Sequence, residues 1–158
     1  STTTRSARLR QAFSVRRAAF HRHHITPAWV AIARDDASRL AGGVVGATRP
    51  MAADLARVLG GRLTRTTTLA STIGPYGAPG ILAVRLGLEY RREFPVDPAI
   101  VAIRGYTVEL RRWLRRFRGV ATRYLDHYLA WHRFLVTVDA MGMTRRDRRR
   151  SLLTGSFP

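Results

Sequence analysis

The chain contains no cysteine, no lysine and no asparagine, and a single glutamine. Without cysteine there can be no disulfide, no thiol nucleophile and no cysteine-based zinc module. Without lysine there is neither a P-loop, whose lysine reaches the phosphates, nor Schiff-base chemistry. Acidic side chains are also scarce: ten Asp and Glu stand against 28 basic residues, every one an arginine, for a formal net charge of +18. No apolar run reaches the 18 or so residues that a spanning helix requires.

What is present suits one small domain. The 158 residues are 46% hydrophobic, enough for a core and against wholesale disorder. So large a charge excess repels itself, and a polyanion relieves it. Nucleic acid is the leading partner, ahead of an anionic membrane surface or an acidic protein. Arginine suits the first, because its planar fork pairs bidentately with phosphate and stacks on bases. Lysine and asparagine both have AT-rich codons, so a GC-rich gene accounts for their joint absence equally well.

Three zones are expected: a basic arm over 1–24, a globular domain over 25–140 and a basic tail over 141–158. The arm carries Arg5, Arg8, Arg10, Arg16, Arg17 and Arg22 with no acidic residue. That composition matches a mitochondrial transit segment or its remnant, and equally an arm that orders along a polyanion. The chain opens on Ser1 rather than a methionine, so upstream sequence is expected to have been removed or to lie outside this sequence. His21, His23 and His24 cluster there, but no cysteine or carboxylate joins them, so no metal site is expected.

From Pro27 onward the pattern becomes that of a folded domain. Ala28-Trp29-Val30-Ala31-Ile32-Ala33 reads as a buried strand, ended by a turn at Asp35-Asp36. Residues 40–46 read as the antiparallel return. Thr48 is expected to cap a helix with Pro50 near its first turn, running to about Leu59 and stopped by Gly60-Gly61. The β-branched stretch 66–71 predicts a third strand. The Gly- and Pro-rich stretch 74–80 predicts a turn, followed by a short helix through Leu86 and a last strand within 88–94. Strands alternating with helices indicate α/β architecture.

In 106–119 Tyr106, Leu110, Trp113, Leu114 and Phe117 form one helical stripe, while Arg111, Arg112, Arg115, Arg116 and Arg118 occupy the other surface. A second helix from about Thr122 carries Tyr124, Leu125, Tyr128, Leu129, Trp131 and Leu135. Its aromatics are read as core in preference to base-stacking groups, and His127 and His132 as bordering that core. Arg145, Arg146, Arg148, Arg149 and Arg150 close the chain around Asp147. No G-x-S-x-G elbow selects a catalytic triad and no G-x-G-x-x-G cradles a phosphate.

The run Trp113-Leu114-Arg115-Arg116-Phe117-Arg118-Gly119-Val120-Ala121-Thr122-Arg123-Tyr124-Leu125, continued by Tyr128-Leu129-Ala130-Trp131, resembles the end of the catalytic domain of bacterial insertion-sequence transposases of the ISXO-like group, "W-x-x-R-F-x-G-V-A-T-K-Y-L-x-x-Y-L-x-W". Val30-Ala31-Ile32-Ala33-Arg34-Asp35 is similar to that family's "V-x-V-A-R-D" strand, and the likeness covers about 25–135. It implies a ribonuclease-H-like fold, a mixed sheet flanked by helices, here with a basic N-terminal arm and a helical C-terminus. It also implies DNA strand transfer by three ligands holding two Mg²⁺ about 4 Å apart. The ligand positions depart from the family. The first, on a strand upstream of residue 30, falls in the acid-free arm with no matching residue. The second, in an "S-D-G" element, falls at Thr72, and the third, commonly Asn, at Arg104, whose charge repels a dication. Asp35, Asp36, Glu89 and Glu93 are not placed to replace them. A disarmed domain is therefore expected: not an enzyme, without cofactor or metal, binding RNA as a structural part of a ribonucleoprotein, with a mitochondrial ribosome as first choice. An accessory subunit of an organellar membrane complex and a DNA-binding degenerate transposase are the alternatives.

Overall fold

In the computed structural model, residues 7–15, 28–117, 120–144, 147 and 150 are described, with 7–15 as backbone. Five strands, β1 (Ala7–Val15), β2 (Ala28–Asp35), β3 (Leu40–Gly46), β4 (Thr68–Ser71) and β5 (Glu89–Arg92), form one sheet in the order β3-β2-β1-β4-β5. β1, β2 and β3 pair antiparallel, whereas β4 runs parallel to β1 and β5 parallel to β4. Among the described residues it is accompanied by the helices α1 (Ala52–Leu59), α2 (Ala78–Leu86), α3 (Pro98–Leu114) and α4 (Leu125–Ala140). The α/β class expected from the sequence is what the chain adopts.

The sheet lies between two apolar layers because β2 is apolar on both sides. Ala31 and Ala33 pack with Val45, Leu55, Leu59, Leu69 and Leu82, which brings α1 and α2 onto one face. Ala28, Val30 and Ile32 alternate with them and pack with Ile103, Tyr106, Leu110, Leu114, Leu125 and Leu129, which sets α3 and α4 on the other. This is the period-two geometry of a strand with no solvent face. The two strands approach closely beside it: a Cβ on Gly42 would stand 2.5 Å from the Ala31 carbonyl oxygen. At the end of α2, Gly87 takes the left-handed conformation (φ 64°) and its N–H returns to Ala83 and Val84, a glycine stop.

The boundary of the expected arm is corrected here. Residues 7–15 are the middle strand of the sheet, paired with β2 from Ala7↔Asp35 to Val15↔Ala28 and with β4 at Ala7↔Leu69 and Arg8↔Ala70. The sequence carries the signal, with Ala7, Leu9, Phe13 and Val15 alternating with Arg8, Arg10 and Ser14, but its arginine content masks it. The ladder's register shifts between Arg10 and Phe13, so the alternation does not run unbroken along the strand. Arg8 and Arg10 are therefore strand residues rather than parts of an arm; Arg5, Arg16, Arg17 and Arg22 lie outside the described residues.

Two smaller expectations also shift. The first helix begins at Ala52 and not at Thr48; the Asp54 carboxylate accepts the Met51 N–H at 2.9 Å and closes its N-terminus. The arginine-bearing helix starts at Pro98, two turns before Tyr106, because Asp97 caps it by accepting the Ala99 N–H at 2.9 Å and Pro98 suits the first helical position. Its inner stripe holds Leu110, fully buried between α3 and the sheet. Leu110→Ala should cost about 2–5 kcal/mol of folding free energy, read as a lower urea midpoint with an unchanged slope.

Candidate nucleic-acid interface

Buried Ile100, Ile103, Tyr106, Leu110 and Leu114 commit one side of α3 to the sheet, and the exposed side carries arginines together with Val101, Val108 and one acid, Glu109. Arg104, Arg111 and Arg112 are exposed on the helix, and Arg115 and Arg116 are exposed on the 3-10 turn (Arg115–Phe117) that continues it. By the helical period, Arg104, Arg111 and Arg115 fall along one line with Val108, and Arg112 and Arg116 along the next. The row spans about 16 Å at the ordinary helical rise. Arg104, expected as a lost metal-ligand position, is thus the N-terminal member of this row.

Beyond the 3-10 turn the aromatic residues meet one another. Trp113 stacks edge-on against Phe117 (centroids 4.8 Å) and Trp131 (5.3 Å), and Phe117 against Tyr128 (4.8 Å). These contacts join the end of α3 to α4, in keeping with a packing role, although Trp131 remains 46% exposed. Arg123 lies 4.6 Å over the Tyr124 ring, a cation–π pair at the surface.

Other expected residues are dispersed. Thr72 is half-buried just past β4, where the Ser71 hydroxyl accepts the Ile73 N–H at 3.1 Å. Asp35 ends β2 and is occupied by Arg39 at 2.6 Å. Glu89 opens β5 and accepts the Thr68 hydroxyl at 2.8 Å. Arg118, Arg145, Arg146, Arg148 and Arg149 lie outside the described residues. Arg150 is exposed, and Thr144 and Asp147 exchange hydrogen bonds across one helical turn just before it. Among the described residues no three His, Cys, Asp or Glu side chains gather where they could hold a metal ion, and no helix is long and apolar enough to cross a membrane.

Three residues that sequence reasoning passed over seal the β3 edge. Asp126 of α4 accepts the Val44 N–H at 2.7 Å, Arg57 of α1 donates to the Val45 carbonyl at 2.7 Å, and Arg133 of α4 donates to the Gly42 carbonyl at 3.2 Å. No local pattern could reveal them, since Asp126 and Arg133 stand more than 80 positions from the backbone they meet. Burial pulls Arg133 below the ordinary guanidinium range, with Arg62 adding to the effect. No family model matches the chain, and no curated protein sequence matches it.

Under the arginine row, buried His132 shares a hydrogen bond of 3.2 Å with the Tyr106 hydroxyl. Desolvation lowers the imidazole below its usual 6.5, against a smaller opposing pull from Glu109. The unfolded chain therefore takes up this proton first, so the contribution of His132 is complete above pH 6.5 and declines as the pH falls through that value. Desolvation likewise raises Tyr106 above its usual 10.0, so stability also declines above pH 10. His132→Phe should shrink the loss of urea midpoint between about pH 7.5 and pH 5; an unchanged loss would show that His132 does not carry it.

Proposed function

We propose that this chain is a non-catalytic nucleic-acid-binding domain on a ribonuclease-H-like scaffold of transposase descent, acting as an RNA-binding component of a ribonucleoprotein, with a mitochondrial ribosome as the first candidate. The observation that carries the binding reading is the exposed row Arg104, Arg111, Arg112, Arg115 and Arg116 on one side of α3 and its continuation. Five guanidinium groups on a rigid helix present forks for phosphate oxygens without base-specific geometry.

The scaffold reading is supported by the mixed five-stranded sheet with helices on both faces, the architecture that the transposase resemblance implies. The non-catalytic reading is supported by the sequence at the three ligand positions. The first carboxylate is expected on a strand before β2, and Ala7–Val15, which precedes it, contains no acidic residue. Thr72 follows β4 at the second position, and Arg104 holds the third.

Binding of single-stranded RNA should fall steeply with salt, by about 0.7 in log affinity per log salt for each phosphate neutralised. Replacing Arg112 and Arg116 together by Glu should lower affinity roughly tenfold or more and flatten that slope by about 1.4. Filter binding across a salt series, with duplex DNA of the same length in parallel, checks this. A flat salt response would overturn the electrostatic reading, and a preference for DNA would move the partner to the transposase's own substrate class. Mg²⁺-dependent nicking lost on Asp35→Asn or Asp36→Asn would overturn the non-catalytic reading.

A further inference from the structure

A second basic feature lies on the α1 side of the sheet, away from the α3 row. At the turn end of the β2–β3 hairpin, a cleft of about 280 Å³ is lined by Arg34, Asp35 and Arg39 on one side and by Arg62, Thr64 and Thr67 on the other. Three arginines and one aspartate are among its lining residues, an excess of two positive charges beside the apolar Leu40, Leu59 and Leu63.

That carboxylate is already engaged. Asp35 accepts the Arg39 main-chain N–H at 2.8 Å and its Nε–H at 2.7 Å. Arg34 spends one Nη2 donor on the Ser38 hydroxyl at 2.8 Å and keeps others. Arg62 has no hydrogen bond or ion pair among the described residues, and its field depresses the basicity of Arg133 nearby. On the same wall Thr67 accepts the Thr64 N–H at 3.0 Å, and the Thr64 and Thr67 hydroxyls are joined at 3.2 Å.

Like charges gathered in a concavity repel, and a bound anion removes the penalty. Arginine forks and hydroxyl groups match a phosphate in both shape and donor count. The volume sits just under the range of about 300–1,000 Å³ typical of ligand pockets, which suits a phosphate with its sugar rather than a large cofactor.

We propose that this cleft is a phosphate-ester site, with Arg62 and Arg34 as the anion's main partners and Thr64 as a supporting donor. It rests on the nucleic-acid reading only for the source of the phosphate, which is either a free nucleotide or the backbone of a bound strand.

Isothermal titration of the full chain with inorganic phosphate, a nucleoside 5′-monophosphate and a short single-stranded RNA, at ionic strength held with chloride, tests it. Phosphate or the monophosphate should bind, and Arg62→Ala should weaken that binding about tenfold. Arg112→Ala with Arg116→Ala should leave it unchanged. Arg62 is exposed on a 3-10 turn, so Arg62→Ala should unfold at nearly the wild-type temperature. If Arg62→Ala also weakens the RNA, the source is the strand; if only the monophosphate responds, the source is a free nucleotide. RNA that fails to bind while phosphate still does overturns the nucleic-acid reading and leaves the cleft standing. Phosphate and monophosphate that do not bind, or that bind Arg62→Ala and Arg34→Ala as tightly as the unsubstituted chain, overturn the cleft.

Discussion

A strand that is apolar on both sides cannot sit at a surface, and β2 is such a strand. Val30 and Ile32 face α3 and α4, while Ala31 and Ala33 face α1 and α2. Burying both rows requires a helical layer on each side, so the three-layer arrangement follows from six consecutive residues. It also requires partners on both edges of β2, because buried backbone N–H and C=O groups must be paired. β3 supplies one through a short hairpin and β1 the other. An arginine-rich segment is thereby drawn into the middle of the sheet.

The same demand divides the arginines into two kinds. Arg57 and Arg133 turn inward onto the open edge of β3, assisted by Asp126, so side chains occupy that edge at Gly42, Val44 and Val45 and leave less of it to an added strand. Arginine suits this task because its long apolar stem crosses the helix–sheet boundary before the fork meets a carbonyl. The arginines of α3 stand elsewhere. Once Ile103, Tyr106, Leu110 and Leu114 are committed to the core, helical geometry leaves Arg104, Arg111, Arg112, Arg115 and Arg116 outside. A row of like charges on one helix costs stability when alone, and a polyanion offsets that cost.

Much of this was legible before any coordinates. The apolar run 28–33 and the stripe from Tyr106 to Leu114 each obey a short-range period that the structure keeps. The failures have a common cause. β1 alternates as a strand does, but arginine content outweighed alternation, and its parallel neighbour β4 lies some 60 residues away, beyond any local period. Asp126 and Arg133 at the β3 edge are long-range for the same reason. The helix expected from Tyr106 leaves out Asp97-Pro98, although a capping aspartate followed by proline is a helix-opening pair. The α3 row was legible as a set of residues, but not Arg104 as its first member, since the helix was expected to start only at Tyr106. The cleft was not legible at all: Arg34, Arg39 and Arg62 come from separate elements and meet only when the hairpin reaches the turn after α1.

The place of Arg104 bears on how a strand-transfer scaffold could become a binding surface. A metal pair needs carboxylates converging on a small volume, and each ligand lost leaves the remaining acids repelling one another with less cation to hold them. Replacing those acids removes the repulsion. If Arg104 stands at the third ligand position, as the proposed descent has it, arginine there would do more than remove a ligand, because the residue lies on the same line of α3 as Arg111 and Arg115. One substitution would then both exclude a dication and lengthen the cationic row by about 10 Å. A phosphate that two metals would have held between attacking and leaving oxygens can still be attracted by a guanidinium, which neutralises its charge without supplying a nucleophile. Under that reading, loss of catalysis and gain of affinity are one physical change seen from two sides.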